Sequence, residues 1–314
     1  MNYVFFDVEC ANCLNGEGKI CSFGFVKTDE NFHVIKKKDI LMNPNAKFLL
    51  GNVRTGEGIK LAYPLFRFQR ADTFPRFYNE IRTLLEDENT ICFGFAVHQD
   101  VSYLSYSCRR YGLPIIKFRF FDIQKMEQRI YQRKNPSGLD HLVEQFSLNS
   151  FTYHRSDDDA LMSMEVFQQL LKEKKITVSD ALVMYPDCFN DTERFLKVAE
   201  ERKQQREKKK EVGKKITFFM ESKSVQTDLS HFDKFFWKKK FCFHSAVLSE
   251  YIDEMNKNKE LFYKKGGKTT SNILESDYVV LVDGKDMEKM NIDPESRKKI
   301  KFITYYTFNK HLKG

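Results

Sequence analysis

Short apolar runs separated by polar turns dominate the start of the chain, a pattern typical of paired β-strands. Apolar residues fill positions 3–6 and most of 20–26 and 32–35. The second and third runs are joined by a short polar turn at residues 28–31. Three successive strands with short connections predict an antiparallel meander.

The pattern changes at Thr73, after which apolar positions recur every three or four residues and predict helices that alternate with strands. The predicted strands are 90–95 and 118–121. The predicted helices are 74–85, 101–111, 122–133, 138–146, 157–174 and 177–184. A meander followed by strand and helix units predicts an α/β fold with a mixed sheet flanked by helices.

A change in composition near Pro186 divides the chain. From about 191 to 215 the sequence is polar, charged and rich in helix formers, which indicates a solvated helix or a flexible connector. Basic residues crowd between Arg202 and Lys215, and they are compatible with simple solvation and with phosphate contact alike. Strand and helix patterns then return, so we predict a domain at 1–185, a charged linker at 186–237 and a small α/β domain at 238–314.

Composition and charge exclude few functions. The net charge of +8 is compatible with a polyanionic partner but is weak evidence for one. No run of about 18 apolar residues is present, so no membrane partner is expected. The N-terminal residues lack the basic region and apolar core of a signal peptide, which predicts a cytoplasmic protein.

Candidate chemistry begins with Asp7 and Glu9, which follow the first apolar run. Residues two apart on a strand point to the same face, so both carboxylates lie together while Val8 points into the core. Two such groups beside apolar neighbours suffer desolvation and mutual repulsion. Exposure at a strand end would relieve this cost, and so would a divalent cation such as Mg²⁺ or Mn²⁺.

Further acids stand where helices begin, and each has an ordinary structural explanation. Asp100 immediately precedes a predicted helix and could serve as its N-cap. Ser156 could cap the next acidic helix, with Asp159 at its third position in an arrangement like a capping box. His154 could be a surface histidine. The individual positions therefore leave structure and function open.

The order of these residues resembles the DEDDh family of 3′–5′ exonucleases, which includes the proofreading subunits of bacterial replicative polymerases. Asp7 and Glu9 match the first motif, Asp100 the second, and His154 with Asp159 the third. The resemblance covers residues 3–175 approximately and implies a ribonuclease-H-like mixed sheet.

The resemblance also implies a mechanism. Asp7, Glu9 and Asp159 would surround one of two divalent cations, Mg²⁺ or Mn²⁺, and Asp7 with Asp100 would reach the other. His154 would be the general base. The expected activity is hydrolysis of single-stranded DNA or RNA from the 3′ end to nucleoside 5′-monophosphates. A scaffold that binds nucleic acid and protein without cutting is the alternative, but all five catalytic residue types are present.

Three departures from the family pattern concern substrate preference rather than reaction type. Phe95-Ala96 stands where the family usually has His-Asn, and Ser156 where it usually has Ala. Cys10 replaces a common Thr. We expect the substrate to bind near Cys10 and the irregular segment before Thr73.

The last part of the chain resembles a BRCT domain, a family that supplies protein–protein and sometimes DNA-end contacts. The resemblance implies a protein partner. Phosphate-binding members carry Ser/Thr-Gly where this chain has His244-Ser245, so phosphate binding is not carried over. The matching segments are 241–243, 264–268, 276–282, 299–303 and Phe308.

Overall fold

The computed structural model describes residues 1–14, 16–49, 62–148, 154–221, 228–288, 290 and 292–314. The chain divides into two compact units, Met1–Ala199 and Glu200–Gly314. Within the described ranges, no helix is long and apolar enough to cross a membrane.

The first unit is a mixed sheet with helices on both faces, so the predicted α/β fold is confirmed there. Its strands are β1 (Asn2–Leu14), β2 (Glu17–Thr28), β3 (Val34–Leu41), β4 (Thr90–Gly94), β5 (Arg119–Asp122) and β6 (Phe189–Asp191). Its helices are α1 (Leu65–Arg70), α2 (Phe74–Leu85), α3 (His98–Arg110), α4 (Ile123–Ile130), α5 (Leu139–Gln145), α6 (Ser156–Lys174), α7 (Val178–Met184) and the first turns of α8 (Thr192–Met220).

The strand order is β3-β2-β1-β4-β5-β6. Strands β1, β2 and β3 form the predicted antiparallel meander, while β4 and β5 extend the sheet parallel to β1. Strand β6 closes the other edge antiparallel to β5. Parallel strands bring their carboxyl ends to one edge of the sheet, which is where α3 and α4 begin.

Alternation along β1 explains why both faces of the sheet are covered. Phe5 and Phe6 are fully buried in two different apolar clusters, because successive side chains of a strand point to opposite faces. The Phe5 ring stacks on Phe93 with centroids 5.0 Å apart, and Phe93 in turn contacts Phe167 of α6 at 4.9 Å. Many phenylalanines of this unit therefore belong to its hydrophobic core.

The ends of several elements differ from the sequence prediction. Strand β1 was expected at 3–6 but runs to Leu14, because its backbone pairing with β2 continues through polar residues. Strand β3 was expected at 32–35 but begins at Val34, since Phe32 has a left-handed backbone with φ of 64°. Helix α1 and strand β6 were not predicted, because six and three residues carry too little periodicity.

The domain boundary lies later than the predicted end at residue 185. Strand β6 pairs with β5, and the Thr192 backbone N–H donates to the Phe118 carbonyl at 3.0 Å. The Phe195 ring packs on His98 with centroids 5.1 Å apart. Residues 186–199 of the predicted linker therefore belong to the first unit.

The second unit is a small α/β fold around a four-stranded parallel sheet of order β10-β9-β7-β8. Its core includes Phe219 and Phe236, so the rest of the predicted linker is partly folded into this unit. Its strands are β7 (Lys240–Phe243), β8 (Lys268–Thr269), β9 (Tyr278–Leu281) and β10 (Lys301–Thr304). Its helices are the later turns of α8, α9 (Ser245–Glu250), α10 (Ile252–Lys257), α11 (Lys259–Lys264), α12 (Gly284–Glu288), α13 (Pro294–Lys299) and α14 (Tyr305–Lys313).

Candidate active site

Strand β1 holds the first two candidate acids on one face. Asp7 lies opposite Gly24 of β2 and Glu9 opposite Ser22, while the intervening Val8 is buried in the core as predicted. Because β1 continues past Glu9 as a paired strand, these carboxylates do not sit at a frayed strand end. Both side chains are half-buried.

Small residues on β2 place the start of α6 against the sheet. A Cβ added at Gly24 would lie 2.0 Å from the carbonyl carbon of Ser156, so only glycine allows this approach. The Ser156 hydroxyl donates to the Ser22 hydroxyl at 2.7 Å, and Ser22 in turn donates to Asp39. This contact between α6 and β2 brings Asp159, the fourth residue of the helix, to the acids of β1.

The expected capping roles at the two helix starts are wrong. Ser156 is the first residue of α6 and Arg155 is its N-cap, with no side-chain cap hydrogen bond. Likewise Val97 is the N-cap of α3, and Asp100 lies inside the first turn of that helix. Capping therefore does not explain either position.

Three carboxylates meet at the site. One oxygen each from Asp7, Glu9 and Asp159 lie within 4.8 Å of one another. Over the described ranges, no lysine or arginine nitrogen lies within ion-pair distance, 4.0 Å, of these three groups. The cluster therefore carries like charge that no lysine or arginine of the described ranges balances.

Burial and mutual repulsion both oppose ionisation of these acids. Burial raises the pKa of Asp7 well above its ordinary value, and the carboxylates of Asp100, Glu9 and Asp159 raise it further. Burial, followed by the Glu9 charge, raises the pKa of Asp159 to about 7. A divalent cation would relieve this cost, because carboxylate oxygens are the ligands that Mg²⁺ and Mn²⁺ prefer.

Asp100 lies next to the cluster but outside its tightest triplet. Its side chain is buried at 6% exposure, and its carboxylate is the largest charged contributor to the raised pKa of Asp7. Burial raises the pKa of Asp100 well above its ordinary value, and Glu9 adds to the rise. The structure thus brings all four predicted acids together.

His154, the last of the five predicted site residues, lies two residues before the start of α6. Its backbone is left-handed, with φ of 64°, and its side chain is 45% exposed. The imidazole Nδ1 lies 3.6 Å from the Glu9 carboxylate. Interaction with Glu9 raises the pKa of His154 above its ordinary value.

Asp7, Glu9, His154 and Asp159 line an open cavity of about 540 Å³, a size suited to a small ligand. Its other wall comes from α5 and from Phe95 in the loop after β4. Phe95 stands at one of the departures from the family pattern, whereas the α5 residues carried no motif, because only the fold brings α5 to this place. The lining residues are Asp7, Glu9, Phe95, Leu139, Asp140, Glu144, His154 and Asp159.

Cys10 follows Glu9 and is half-buried beside Gly18 and Tyr103. A Cβ added at Gly18 would lie 2.8 Å from the Cys10 sulfur and 2.2 Å from the Tyr103 ring. Among the described residues, those lining the cavity do not include Cys10, so its substrate contact stays a prediction. Residues 50–61, in the segment also expected near the substrate, lie outside the described residues.

Two neighbouring aspartates of α6 have a different environment. Asp157 accepts a hydrogen bond from the Arg155 guanidinium, with Nη2 to Oδ2 at 3.2 Å, and it lies 3.7 Å from the Lys37 ammonium. Lys37 also pairs closely with Asp158. These acids therefore help to hold α6 against β3, and they do not extend the unbalanced cluster.

Comparison with known proteins adds a family match. The model of a family described as Exonuclease matches residues 4–167, about half of the chain. A curated relative is the PolC-type DNA polymerase III of Caldanaerobacter subterraneus, 22% identical over 174 residues. The match covers 54% of this chain and only 12% of that protein, so the chain spans a small part of its relative's length.

Solved structures give more distant similarities. A 3′-exonuclease studied for 3′-end-specific recognition of the histone mRNA stem-loop has a TM-score of 0.44 and 13% identity, covering 55% of this chain and 82% of its own. Exonuclease I of E. coli with a dT13 oligonucleotide has a TM-score of 0.46 and 16% identity, covering 59% and 44%. These values are too low to indicate a substrate.

Proposed function

The chain belongs to the exonuclease family, and we propose that it removes nucleotides from the 3′ end of single-stranded DNA or RNA in a metal-dependent reaction. The nuclease class agrees with the motif order in the sequence. The observation that carries the proposal is the unbalanced cluster of Asp7, Glu9 and Asp159, with His154 beside it in the same cavity.

The acids fit a pair of divalent cations. They offer only oxygen donors, and the raised pKa values of Asp7 and Asp159 reflect burial first and mutual repulsion second, both of which a bound cation would offset. Asp7, Glu9 and Asp159 would hold one cation, and Asp7 with Asp100 the other. Two bound cations, Mg²⁺ or Mn²⁺, would supply an activated water and stabilise the departing 3′ oxygen.

His154 would accept the proton of the attacking water. Imidazole suits this role because its pKa lies near neutral pH. The contact between Nδ1 and the Glu9 carboxylate would orient the ring and leave Nε2 for the water. The resulting products would be nucleoside 5′-monophosphates.

The cavity walls support action at a chain end. Phe95 and Leu139 offer apolar surface on which a terminal base and sugar would pack, and the volume of about 540 Å³ suits one nucleotide. Phe95 stands at one of the departures from the family pattern, so we assign it to substrate preference. Cys10 would contribute from the neighbouring position of β1.

Paired end-labelling tests the proposal. DNA and RNA strands of one sequence, each labelled at the 3′ or the 5′ end, are incubated with Mg²⁺, with Mn²⁺ or with excess EDTA. We expect the 3′ label to leave first as a mononucleotide, and EDTA to stop the reaction. Cleavage that survives complete chelation, or that yields only internal fragments, would contradict the proposal.

For the second unit we propose a BRCT-like domain that contacts a protein partner. Its support is the parallel four-stranded sheet, together with the segments that resemble that family in sequence. An experimental structure of the full chain tests the assignment. A different connection of strands and helices in this unit would reject it.

A further inference from the structure

Helix α8 separates its charges by sign between Glu200 and Lys214. At about 100° per residue, six of the seven basic side chains fall within about 140° of the helix circumference, and Lys208 is the exception. The four glutamates of the same segment, Glu200, Glu201, Glu207 and Glu211, fall outside this sector. The six residues, termed here the basic stripe, are Arg202, Lys203, Arg206, Lys209, Lys210 and Lys214.

The spacing within the basic stripe is unfavourable for an isolated helix. Arg202, Arg206, Lys210 and Lys214 follow one another at intervals of four residues, so each like-charged pair meets on successive turns. A helix that needed only solvation would gain from glutamates interleaved at these positions. The arrangement therefore indicates an external anion rather than solubility alone.

The basic stripe is available to such an anion. All six side chains are exposed, and within the described part of the chain none has a carboxylate at ion-pair distance. On the other side of the helix, Lys215 pairs with Glu211 at 3.3 Å and with Asp253 at 2.9 Å. Lys215, outside the stripe, is thus balanced internally, whereas no carboxylate of the described residues balances the stripe.

We propose that the basic stripe binds the phosphate backbone of the nucleic acid that the first unit processes, and this inference rests on the proposed function. Lysine and arginine are the main partners of backbone phosphates, and such contacts carry no sequence information, so the proposed binding is independent of sequence. Gln204 and Gln205 lie outside the stripe. An anionic membrane is a poorer fit, because Val212 is the one large apolar residue between Glu200 and Lys214 and membrane-surface helices need an apolar face.

Exchange of neighbouring residues tests the stripe without a change in composition or net charge. The test chain carries R206E/E207R together with K210E/E211K, which puts two glutamates into the stripe. Arg, Lys and Glu have similar helix propensities, so α8 should persist, and circular dichroism checks this. The control chain carries E201K/K208E, an exchange between two positions that both lie outside the stripe.

Binding is measured by fluorescence anisotropy with oligothymidine and oligouridine strands, in EDTA so that no cleavage occurs. We expect the test chain to bind about tenfold or more weakly than the parental chain at about 50 mM salt. The slope of log affinity against log salt should fall by about 1.4 or more, since each phosphate contact contributes about 0.7 for single strands. The control chain should bind like the parental chain.

Separate outcomes distinguish this inference from the proposed function. If the test chain loses affinity but keeps parental turnover on a saturating trinucleotide, both stand. If it binds as the parental chain does, the inference is wrong whatever the nuclease activity. If the parental chain binds through the stripe but does not cleave, the proposed function alone fails. Loss of binding only to phosphatidylserine vesicles, with strand binding unchanged, would also overturn the inference.

Discussion

Three consecutive aspartates follow Ser156 in the first turn of α6, yet they meet opposite electrostatic surroundings. Asp157 and Asp158 are paired with Arg155 and Lys37, and they join the helix to its neighbours. Asp159, on the side of the helix that faces β1, joins Asp7 and Glu9, and no lysine or arginine of the described residues lies within ion-pair distance of these three acids. Within one helical turn, two aspartates thus hold α6 against its neighbours, while the third joins a group of carboxylates that repel one another.

The comparison shows how a structural carboxylate differs from a functional one. A paired carboxylate stabilises the fold directly, whereas buried like charges raise one another's pKa and cost stability until something binds them. The cost at Asp159, whose pKa rises to about 7, is therefore evidence for a cation site. Substitutions in the paired group (Asp157 and Asp158) and in the unpaired group (Asp7, Glu9 and Asp159) test whether the two behave as differently as their surroundings indicate.

The largest expected effect is that of Asp7→Asn. We expect turnover to fall by about 10⁴-fold or more, because Asp7 is the proposed ligand of both cations. Asp158→Asn removes a carboxylate from the paired group and should keep most activity. Initial rates on a 3′-labelled strand measure both. A chain with Asp7→Asn that still cleaves near the parental rate would show that the site is elsewhere.

His154→Ala should lower turnover by about 10²–10⁴-fold, the usual cost of losing a general base. Metal affinity should change little, because the imidazole is assigned to the water and not to a cation. Single-turnover rates and Mn²⁺ titration of the same chain separate these effects. If the affinity for Mn²⁺ falls along with the rate, His154 is instead a ligand.

Asp159→Asn should stabilise the chain in EDTA at pH 8. The folded-state pKa of Asp159 is raised, so the native state binds its proton more tightly than the unfolded state does, and stability falls as pH rises from about 4 to about 7. Asparagine avoids this cost, with a gain of about 1–3 kcal/mol above pH 7 that disappears near pH 4.

The paired group supplies the matched control for this stability change. Asp158→Asn should destabilise the chain at pH 8, since it breaks the contact with Lys37. Urea unfolding at several pH values measures both chains. Equal effects of the two substitutions would remove the distinction between paired and unpaired acids.

Ser156→Ala should have the smallest effect. It removes the 2.7 Å hydrogen bond to Ser22, which is worth about 1 kcal/mol, while Gly24 still allows the close approach of α6. We expect a small loss of stability and nearly parental turnover. A large loss of turnover with the fold intact would mean that this hydrogen bond fixes the position of Asp159.

Local patterns predicted much of the site. The period of a strand placed Asp7 and Glu9 on one face, and the motif order identified Asp100, His154 and Asp159 as their companions, although their roles stay proposals. Local patterns did not predict contacts between residues that are distant in sequence. Asp100 and Ser156 were expected as helix caps, because aspartate and serine are common capping residues whatever other role they have.

The remaining differences also have non-local causes. Lys37 and Asp158 are 121 residues apart, so nothing near either one predicts their pairing. The short segment β6 forms a strand because it pairs with the edge of β5. For this reason the first unit extends past residue 185. A charged helix was one of the two structures expected for residues 191–215, the other being a flexible connector. The separation of its charges could be seen only once the segment was known to be helical.

Calorimetric titration with Mn²⁺ tests the central claim most directly, by comparing the parental chain with Asp7→Asn and Asp158→Asn. The account predicts that the parental chain and Asp158→Asn bind two ions with similar affinity and release protons at pH 7, because acids with raised pKa values must ionise to bind metal. Asp7→Asn should lose most of this binding. Absence of Mn²⁺ binding to the parental chain, or equal binding by Asp7→Asn, would contradict the assignment of the unbalanced acids as a cation site.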